Sequence, residues 1–418
     1  MQRKSQRKRD CAMVFVDIHG DTAQTLLNFV HNRDRERLVY VSSAINKEAN
    51  TNETYTAVIN PFEVPEDSIE AKAVYANEIA DALTELLESS ANTFNALSIQ
   101  MSALLRPAIF TVMCSPDPSL ATLARFFLDK DGQNADLLEI GKNSPIPIYR
   151  QFFQHDWQNG SYTLTKSSIR TKLLYFLADP MLHNMVCGRS TVKLDECLQT
   201  GKVLILDLPQ AAGRFTSSVV SRLTTAFIHA CMTRRAMVER KERKFCWLFL
   251  DEYHEIACKS IISNLTASRK WGLSCVLAVQ STSSLEKNMK NTSMVNCGIK
   301  IVGLLDHSGK LEMSKELQTS MQSLDKLQTL EFMARKNDGR HTAYKFRVPI
   351  LAKRFFLSVS ERKSLMDYLV YESGIYRKAP LSLRNTVSSV LENPTVDDTP
   401  KKVTKDDLFD DNLKPHFS

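Results

Sequence analysis

The sequence predicts an α/β protein: a mostly parallel β-sheet flanked by helices and interrupted by a long all-helical insertion. Three observations carry this. Four short runs are apolar, but for Ser274 at the head of the last, and stop at acids or an amide: Ala12–Val16 at Asp17, Val203–Leu206 at Asp207, Phe245–Leu250 at Asp251-Glu252, and Ser274–Val279 at Gln280. Uniformly apolar strands, rather than alternating ones, suit a sheet buried on both faces, which is the situation of parallel sheets. Helical patterns separate these strands, as right-handed crossovers require. Finally, residues 66–200 offer no convincing strand at all.

The elements follow in order. Residues 1–10 form a basic start with Arg3, Lys4, Arg7, Lys8 and Arg9, read either as a solvated end or as an arm that meets DNA or lipid. Residues 11–65 open the sheet. After the polar cluster Asp17-Ile18-His19-Gly20-Asp21, Thr22–Val30 reads as helix, Leu38–Val41 as a second strand and Ala57–Ile59 as a short third. Residues 66–200 are the helical insertion. Asp67-Ser68-Ile69-Glu70 resembles a capping box, followed by an apolar stripe of Ile69, Ala73, Ala76, Ile79, Leu83, Leu86 and Leu87. Further helices fit Phe94–Leu105, Asp117–Leu128 with Pro118 in its first turn, and Ile169–Leu177. The sheet resumes over residues 201–350, with a helix over Arg214–Arg235 and another parallel strand at Lys300–Leu304 leading to Asp306. Residues 351–393 read as a helical segment built on Ser358–Tyr371 with a basic flank, and residues 394–418 as a disordered Asp/Lys-rich tail.

Bulk properties narrow the class. The 418 residues are 43% hydrophobic and 24% charged, ordinary for a globular protein with room for two or three domains of ~150 residues each. The longest apolar runs fall far short of the ~20 residues that span a bilayer, and no secretory signal is visible. A cytoplasmic setting is expected, with attachment at the membrane only through some other segment. Nine cysteines, an odd number without a CxxC pair, read as buried reduced thiols rather than zinc ligands or disulfides. The net charge of +7 favours a nucleic-acid or acidic-lipid partner only slightly.

The chemistry is expected at the strand ends. Trp247–Glu252 is an apolar strand delivering two adjacent acids, the Walker B arrangement: Asp251 would hold Mg²⁺ through water and Glu252 would polarise an attacking water. Gln280, at the tip of the next apolar strand, could sense a phosphate or orient that water. Arg269, between them, offers a planar fork of donors for phosphate across a subunit boundary, or else complements a helix end. Asp17, His19 and Asp21 place two carboxylates and an imidazole at one strand end, where they could position metal or water; His19 could equally be structural.

These segments, in this order, resemble the HerA/FtsK superfamily, and most of all type IV secretion coupling proteins of the TraG/TraD kind. The resemblance rests on Asp17-Ile-His-Gly-Asp21, Leu250-Asp-Glu-Tyr-His-Glu255, Ala267-Ser-Arg-Lys-Trp-Gly-Leu273 and Leu277-Ala-Val-Gln280, and covers about residues 11–345. It implies a RecA-like P-loop NTPase core with an all-α insertion, a hexameric ring with ATP and Mg²⁺ between subunits, and DNA threaded through the centre without regard to sequence. It further implies secretion or relaxosome proteins as partners. Asp251 matches the Mg²⁺ acid, Glu252 the catalytic glutamate, Gln280 the sensor and Arg269 the trans-acting basic site. A HerA-like DNA-repair or chromosome-pumping enzyme is the alternative setting.

One departure stands out. No G-x-x-x-x-G-K-[ST] occurs; Gly141-Lys142, Gly201-Lys202 and Gly309-Lys310 lack both the preceding glycine and the hydroxyl residue. In relatives the Walker A loop precedes the strand matching Val14–Asp17, so the first strand and its loop are expected upstream, on a partner chain, or lost. Loss would leave a catalytically inactive binding subunit. Retention of Asp251, Glu252 and Gln280 favours the first two.

Overall fold

The computed structural model describes residues 11–380 except 51–52, 66, 90–96, 129–131, 211–212, 236–237, 257, 338–342 and 351–355. The basic start and the tail from residue 394 lie outside the described residues.

Five strands form the main sheet in the order β2 (Leu38–Ser42), β4 (Val203–Asp207), β1 (Ala12–Asp17), β5 (Cys246–Leu250) and β6 (Leu273–Leu277). Every pairing is parallel, as the apolar runs require. The register aligns their carboxyl ends: Asp17 lies opposite Asp207, Val16 opposite Leu250, and Leu250 opposite Leu277. Asp17, Asp207, Asp251-Glu252 and Gln280, at the ends of β1, β4, β5 and β6, therefore collect along one rim, where open α/β sheets place ligands.

The helix Arg214–Arg234 returns from β4 almost wholly buried, with Val219, Leu223, Phe227 and Ile228 in the core. It packs against the helix Ile69–Ser89, with Tyr75 and Phe227 rings 4.8 Å apart. One hydrophobic core thus serves both the sheet and the helical block. That block runs from Ile69 to Thr200 without a strand among the described residues. Ser68 caps its first helix, its hydroxyl accepting from the Ala71 amide at 3.0 Å. The helix expected from Asp117 begins instead at Leu120, because Ser119 caps it through the Thr122 amide; Pro118 therefore precedes the helix rather than sitting in its first turn. The helix placed over Phe94–Leu105 spans Leu97–Met113, and Phe94 lies outside the described residues.

Two expectations need correction. The stretch Lys300–Leu304 does not join the parallel sheet. It forms β7 (Ile299–Val302), antiparallel to β8 (Glu331–Lys336), which pairs in turn with β9 (Tyr344–Arg347). This second sheet has its own small core of Val302, Met313, Leu317, Leu324, Leu327 and Met333. β8 and β9 mix charged residues with apolar ones, the Lys345–Glu331 pair at 2.6 Å among them, so neither is uniformly apolar. The second correction concerns the C-terminal segment, which is not purely helical. Its helix Val359–Asp367, closed by a Ser358/Glu361 capping box, leads to β10 (Tyr376–Lys378). β10 pairs antiparallel with β3, found at Tyr55–Ala57 rather than Ala57–Ile59.

None of the nine cysteines is joined in a disulfide, and five of them are buried. Burial pushes Cys187 and Cys197 each up to about 11, which keeps them protonated and unreactive at neutral pH. Among the described residues no helix is long and apolar enough to cross a membrane.

Candidate functional site

The loop after β1 is shaped by Asp17. This side chain is fully buried; Oδ1 accepts from the His19 and Gly20 amides, both at 2.9 Å, and Oδ2 accepts from the Ala23 amide at 2.7 Å. Asp17 therefore faces inward, holding the entry to the helix Asp21–Leu27. Gly20 has φ 91°, and a Cβ there would lie 3.0 Å from Asp207 Oδ1 and 3.2 Å from Pro209. Only glycine combines that conformation with that approach.

The turn so fixed presents two side chains to the tip of β5. Thr22 Oγ1 donates to Asp251 Oδ2 at 3.1 Å, and His19 Nε2 stands 3.9 Å from Glu252 Oε1. Asp21 is exposed in the helix's first turn, where a negative charge complements the dipole.

Glu252 is the centre of the cluster. Its φ is 47°, in the left-handed region that non-glycine residues rarely occupy, and it is only 8% exposed. Backbone strain of this kind concentrates at functional sites. The turn aims its carboxylate across β6: Gln280 Nε2 donates to Oε1 at 2.6 Å. Oε2 makes no hydrogen bond; His254 Nδ1 approaches it at 3.4 Å without hydrogen-bond geometry. His254 Nε2 lies 3.7 Å from Glu255, which Arg214 holds at 3.0 Å. A buried carboxylate oxygen without a donor is costly unless something else reaches it.

The fold thus brings Asp17, His19, Asp251, Glu252 and Gln280 to one rim, and adds Thr22, His254 and Arg214, which sequence reasoning missed. His254 and Glu255 lay in plain view inside Asp251–Glu255; no local signal marked Thr22 or Arg214, whose contacts depend on the strand order. Arg269 is not part of this cluster. It sits in the turn Ser268–Trp271 ahead of β6, whereas Gln280 lies beyond the other end. The five residues of β6 alone separate them by ~16 Å at ~3.3 Å per residue.

Among the described residues no three His, Cys, Asp or Glu side chains converge as a protein-only metal cage. Mg²⁺ does not need one, since it is commonly held by one or two carboxylates and waters; Asp251 with the Thr22 hydroxyl beside it fits that mode. A phosphate grip is another matter. Gly141 is inside the helix Ala135–Lys142 against Phe153, and Gly201, at φ 76°, ends the helix Leu194–Thr200. Gly309 gives its amide to the Asp306 carboxylate at 3.0 Å. None of the three Gly-Lys pairs frames a phosphate.

Behind the rim, Asp207 joins a buried network. Its Oδ2 receives the Tyr40 hydroxyl and Gln24 Nε2, the latter at 2.8 Å, while Oδ1 has no partner. Arg362 grips the Gln24 carbonyl side chain from the C-terminal helix, and Tyr376 Oη accepts from the Ser42 amide at 2.8 Å. Burial pushes Asp207 up to about 6, against the opposing Tyr40 hydrogen bond. A raised carboxylate favours the protonated fold, so this contribution is full below the unfolded value of ~3.9 and disappears as pH rises through about 6. Asp207→Asn should remove that slope: urea midpoints of the variant at pH 4.5 and 7 should differ less than those of the parent. An unchanged difference would show that Asp207 does not carry it.

Residues 194–302 match the family model described as the type IV secretion-system coupling protein DNA-binding domain. The match spans β4, β5 and β6 and contains Asp251, Glu252 and Gln280. Among solved structures, the plasmid coupling protein TrwB in complex with the non-hydrolysable ATP analogue ADPNP shares the fold with TM-score 0.59. Identity is 17%, over 84% of this chain and 81% of that one. TrwB in complex with the GTP analogue GDPNP gives the same values, and TrwB with ADP and Mg²⁺ gives TM-score 0.58 at 16% identity over the same shares. Among curated proteins, none matches the chain by sequence. Residues 194–302 thus resemble the coupling-protein DNA-binding domain, and the chain shares the fold of TrwB.

Proposed function

We propose that this chain is the acid-and-sensor part of a nucleotide-driven motor that moves DNA in a conjugative or type IV secretion system. The observation that carries the reading is Glu252, strained and buried beside Asp251, with one oxygen on Gln280 and the other awaiting a partner. Glu252 would take a proton from water, Gln280 would orient that water, and Asp251 with Thr22 would hold hydrated Mg²⁺. Mg²⁺ and ATP, when bound, supply the charge neutralisation and the phosphoryl group. In this reading residues 11–65 and 201–350 are the two parts of the motor core, and residues 66–200 an inserted domain. Arg269, at the far end of β6, suits contact with a neighbouring subunit of a hexameric ring. Relaxosome or secretion proteins at the cytoplasmic membrane would be its partners.

Contact with DNA should be largely coulombic. Duplexes of unrelated sequence should bind with similar affinity, and log K should fall linearly with log salt by ~0.9 for each phosphate contacted. Fluorescence anisotropy over a salt series checks this; absent or salt-insensitive binding would sink the DNA-moving reading. A second reading, a non-catalytic binding subunit, is favoured by the three Gly-Lys pairs that frame no phosphate. It requires partner binding by this chain that nucleotide never changes.

A further inference from the structure

One buried cluster offers more acceptors than its hydrogens can serve. Tyr40 Oη on β2 lies against Asp207 Oδ2 on β4. It also stands 3.1 and 3.0 Å from the two Glu48 oxygens, at the end of the helix Ile45–Glu48. Gln24 Nε2 donates to Tyr40 Oη and to Asp207 Oδ2, both at 2.8 Å, which uses both its hydrogens. The Ser42 hydroxyl donates to Glu48 Oε1 at 3.0 Å. The phenol has one hydrogen, yet carboxyl groups approach its oxygen from two sides. If Tyr40 donates to Asp207, only a proton on Glu48 fills the other contact; if it donates to Glu48, the proton sits on Asp207. With both acids ionised, one oxygen–oxygen contact has no hydrogen in it, and two like charges share a buried site.

The charges around this pair are engaged elsewhere. Asp17, in register with Asp207, spends its carboxylate on three main-chain amides. Arg362 reaches the cluster through the Gln24 side-chain carbonyl, and Lys47 is exposed. On β10, Arg377 donates to the Cys187 carbonyl at 3.2 Å and Lys378 pairs with Glu53 at 2.8 Å. Burial is the largest cause of the raised Asp207 value, and the Glu48 charge adds to it. Burial also raises the Tyr40 phenol, so Tyr40 hands a hydrogen on without staying ionised. The helix that carries Glu48 is tied in turn to β3. Asn46 accepts from the Tyr55 amide at 2.6 Å and donates to the Tyr55 carbonyl at 3.1 Å. Tyr376 of β10 meets the same edge by accepting from the Ser42 amide. Just past β3 the Val58 and Ile59 amides bond to Thr191 Oγ1 and the Met185 carbonyl, where the helical block joins the sheet.

We propose that Glu48, Tyr40 and Asp207 form a clasp closed by one shared proton, which holds the helix Ile45–Glu48 and the β3–β10 ribbon on the edge of the parallel sheet. With the proton bound, Asp207 donates to the phenol and the phenol donates to Glu48. Asp207 and Tyr40 are fully buried, whereas Glu48 is half-buried and has water within reach. When the proton leaves, Glu48 turns to solvent, its helix follows, and Asn46 releases Tyr55. The ribbon then loosens at the root of the helical block. A carboxyl raised by burial favours the closed form at low pH, so the clasp is shut in acid and opens as pH rises through about 6. The device needs neither nucleotide nor DNA, and stands apart from the motor reading above.

Hydrogen exchange of the full chain, each rate divided by the intrinsic rate at its pH, tests the clasp. Between pH 5 and pH 8, protection over residues 45–48, 55–57 and 376–378 should fall together by roughly tenfold, while the buried helix Arg214–Arg234 keeps its own. Glu48→Gln sets an amide donor against the phenol oxygen and should hold the ribbon protected at both pH values. Asp207→Asn should do the same from the other side, and either variant decides the matter if the other does not fold. His183, on the helix Pro180–Val186 that packs on β3, is an imidazole whose pKa burial lowers; His183→Gln should leave the pH effect in place. Protection of the parent that does not change with pH overturns the proposal, as does protection that still falls in a folded amide variant. Loss of the effect in His183→Gln also overturns it. So does an equal fall over the helix Arg214–Arg234, because loss of the whole fold is then the cause.

Discussion

Trp157→Ala lowers the unfolding free energy by about 3–5 kcal/mol, the range for deleting a large buried aromatic side chain. Trp157 is 1% exposed and sits at the middle of a ring cluster in the helical block. Its ring centroid is 4.7 Å from Phe126, 5.2 Å from Phe153 and 5.5 Å from Phe127. The buried Lys166 ammonium lies 5.0 Å over the ring and donates to the Trp157 carbonyl at 2.9 Å. Truncation therefore leaves a cavity and removes the π face beneath a buried cation. Because one core runs from this block into the sheet, guanidinium unfolding followed by far-UV dichroism should show a single transition moved to lower denaturant. Trp157→Phe should recover most of the loss, since it keeps ring packing and removes an indole N–H that has no acceptor. A shift under ~1 kcal/mol for the alanine variant, the centre of ordinary point substitutions, would mean that the cluster is not a core.

Glu252→Gln should move chemistry and stability in opposite directions. A neutral amide in place of a buried carboxylate with an unpartnered oxygen lifts a desolvation cost, so the fold should gain about 1 kcal/mol. In the assembly completed by a loop-bearing segment, ATP turnover should fall by about 10²–10⁴-fold, the usual contribution of a positioned general base. The chain by itself should turn over ATP at background with or without the substitution. Robust turnover by the lone chain that Glu252→Gln abolishes would show that the phosphate cradle is already present. Thermal melts and a phosphate-release assay, run on the same preparations, measure both effects.

Much of the rim was legible in the sequence because the signal is local. A wholly apolar run that stops at an acid announces both a buried parallel strand and its chemical end, and Asp17, Asp207, Asp251 and Gln280 all stand where such runs stop. The helical block was equally plain, since the stripe from Ala76 to Leu87 repeats at helical spacing. What escaped was carried by partners distant in sequence. β8 and β9 break their apolar residues with charges, so no uniformly apolar run flagged them, and β7 could not be assigned to the second sheet without them. The β3–β10 pair joins residues some 320 positions apart, beyond any periodicity. Thr22 reaches Asp251 only because β1 lies next to β5, and strand order is not written in either strand.

That strand order has a consequence for how the molecule is made. β1 is synthesised well before its partners β4 and β5, and β3 waits for β10 near the end of the described residues. A growing chain therefore holds Val14, Phe15 and Val16 unpaired until their partners Leu204, Ile205 and Leu206 have been made. Contacts this distant close slowly, and apolar strands left open in the meantime invite wrong partners. The arrangement that gathers the acids onto one rim also makes the youngest nascent chain the most exposed to aggregation, and puts early contact with chaperones into the fold's own connectivity.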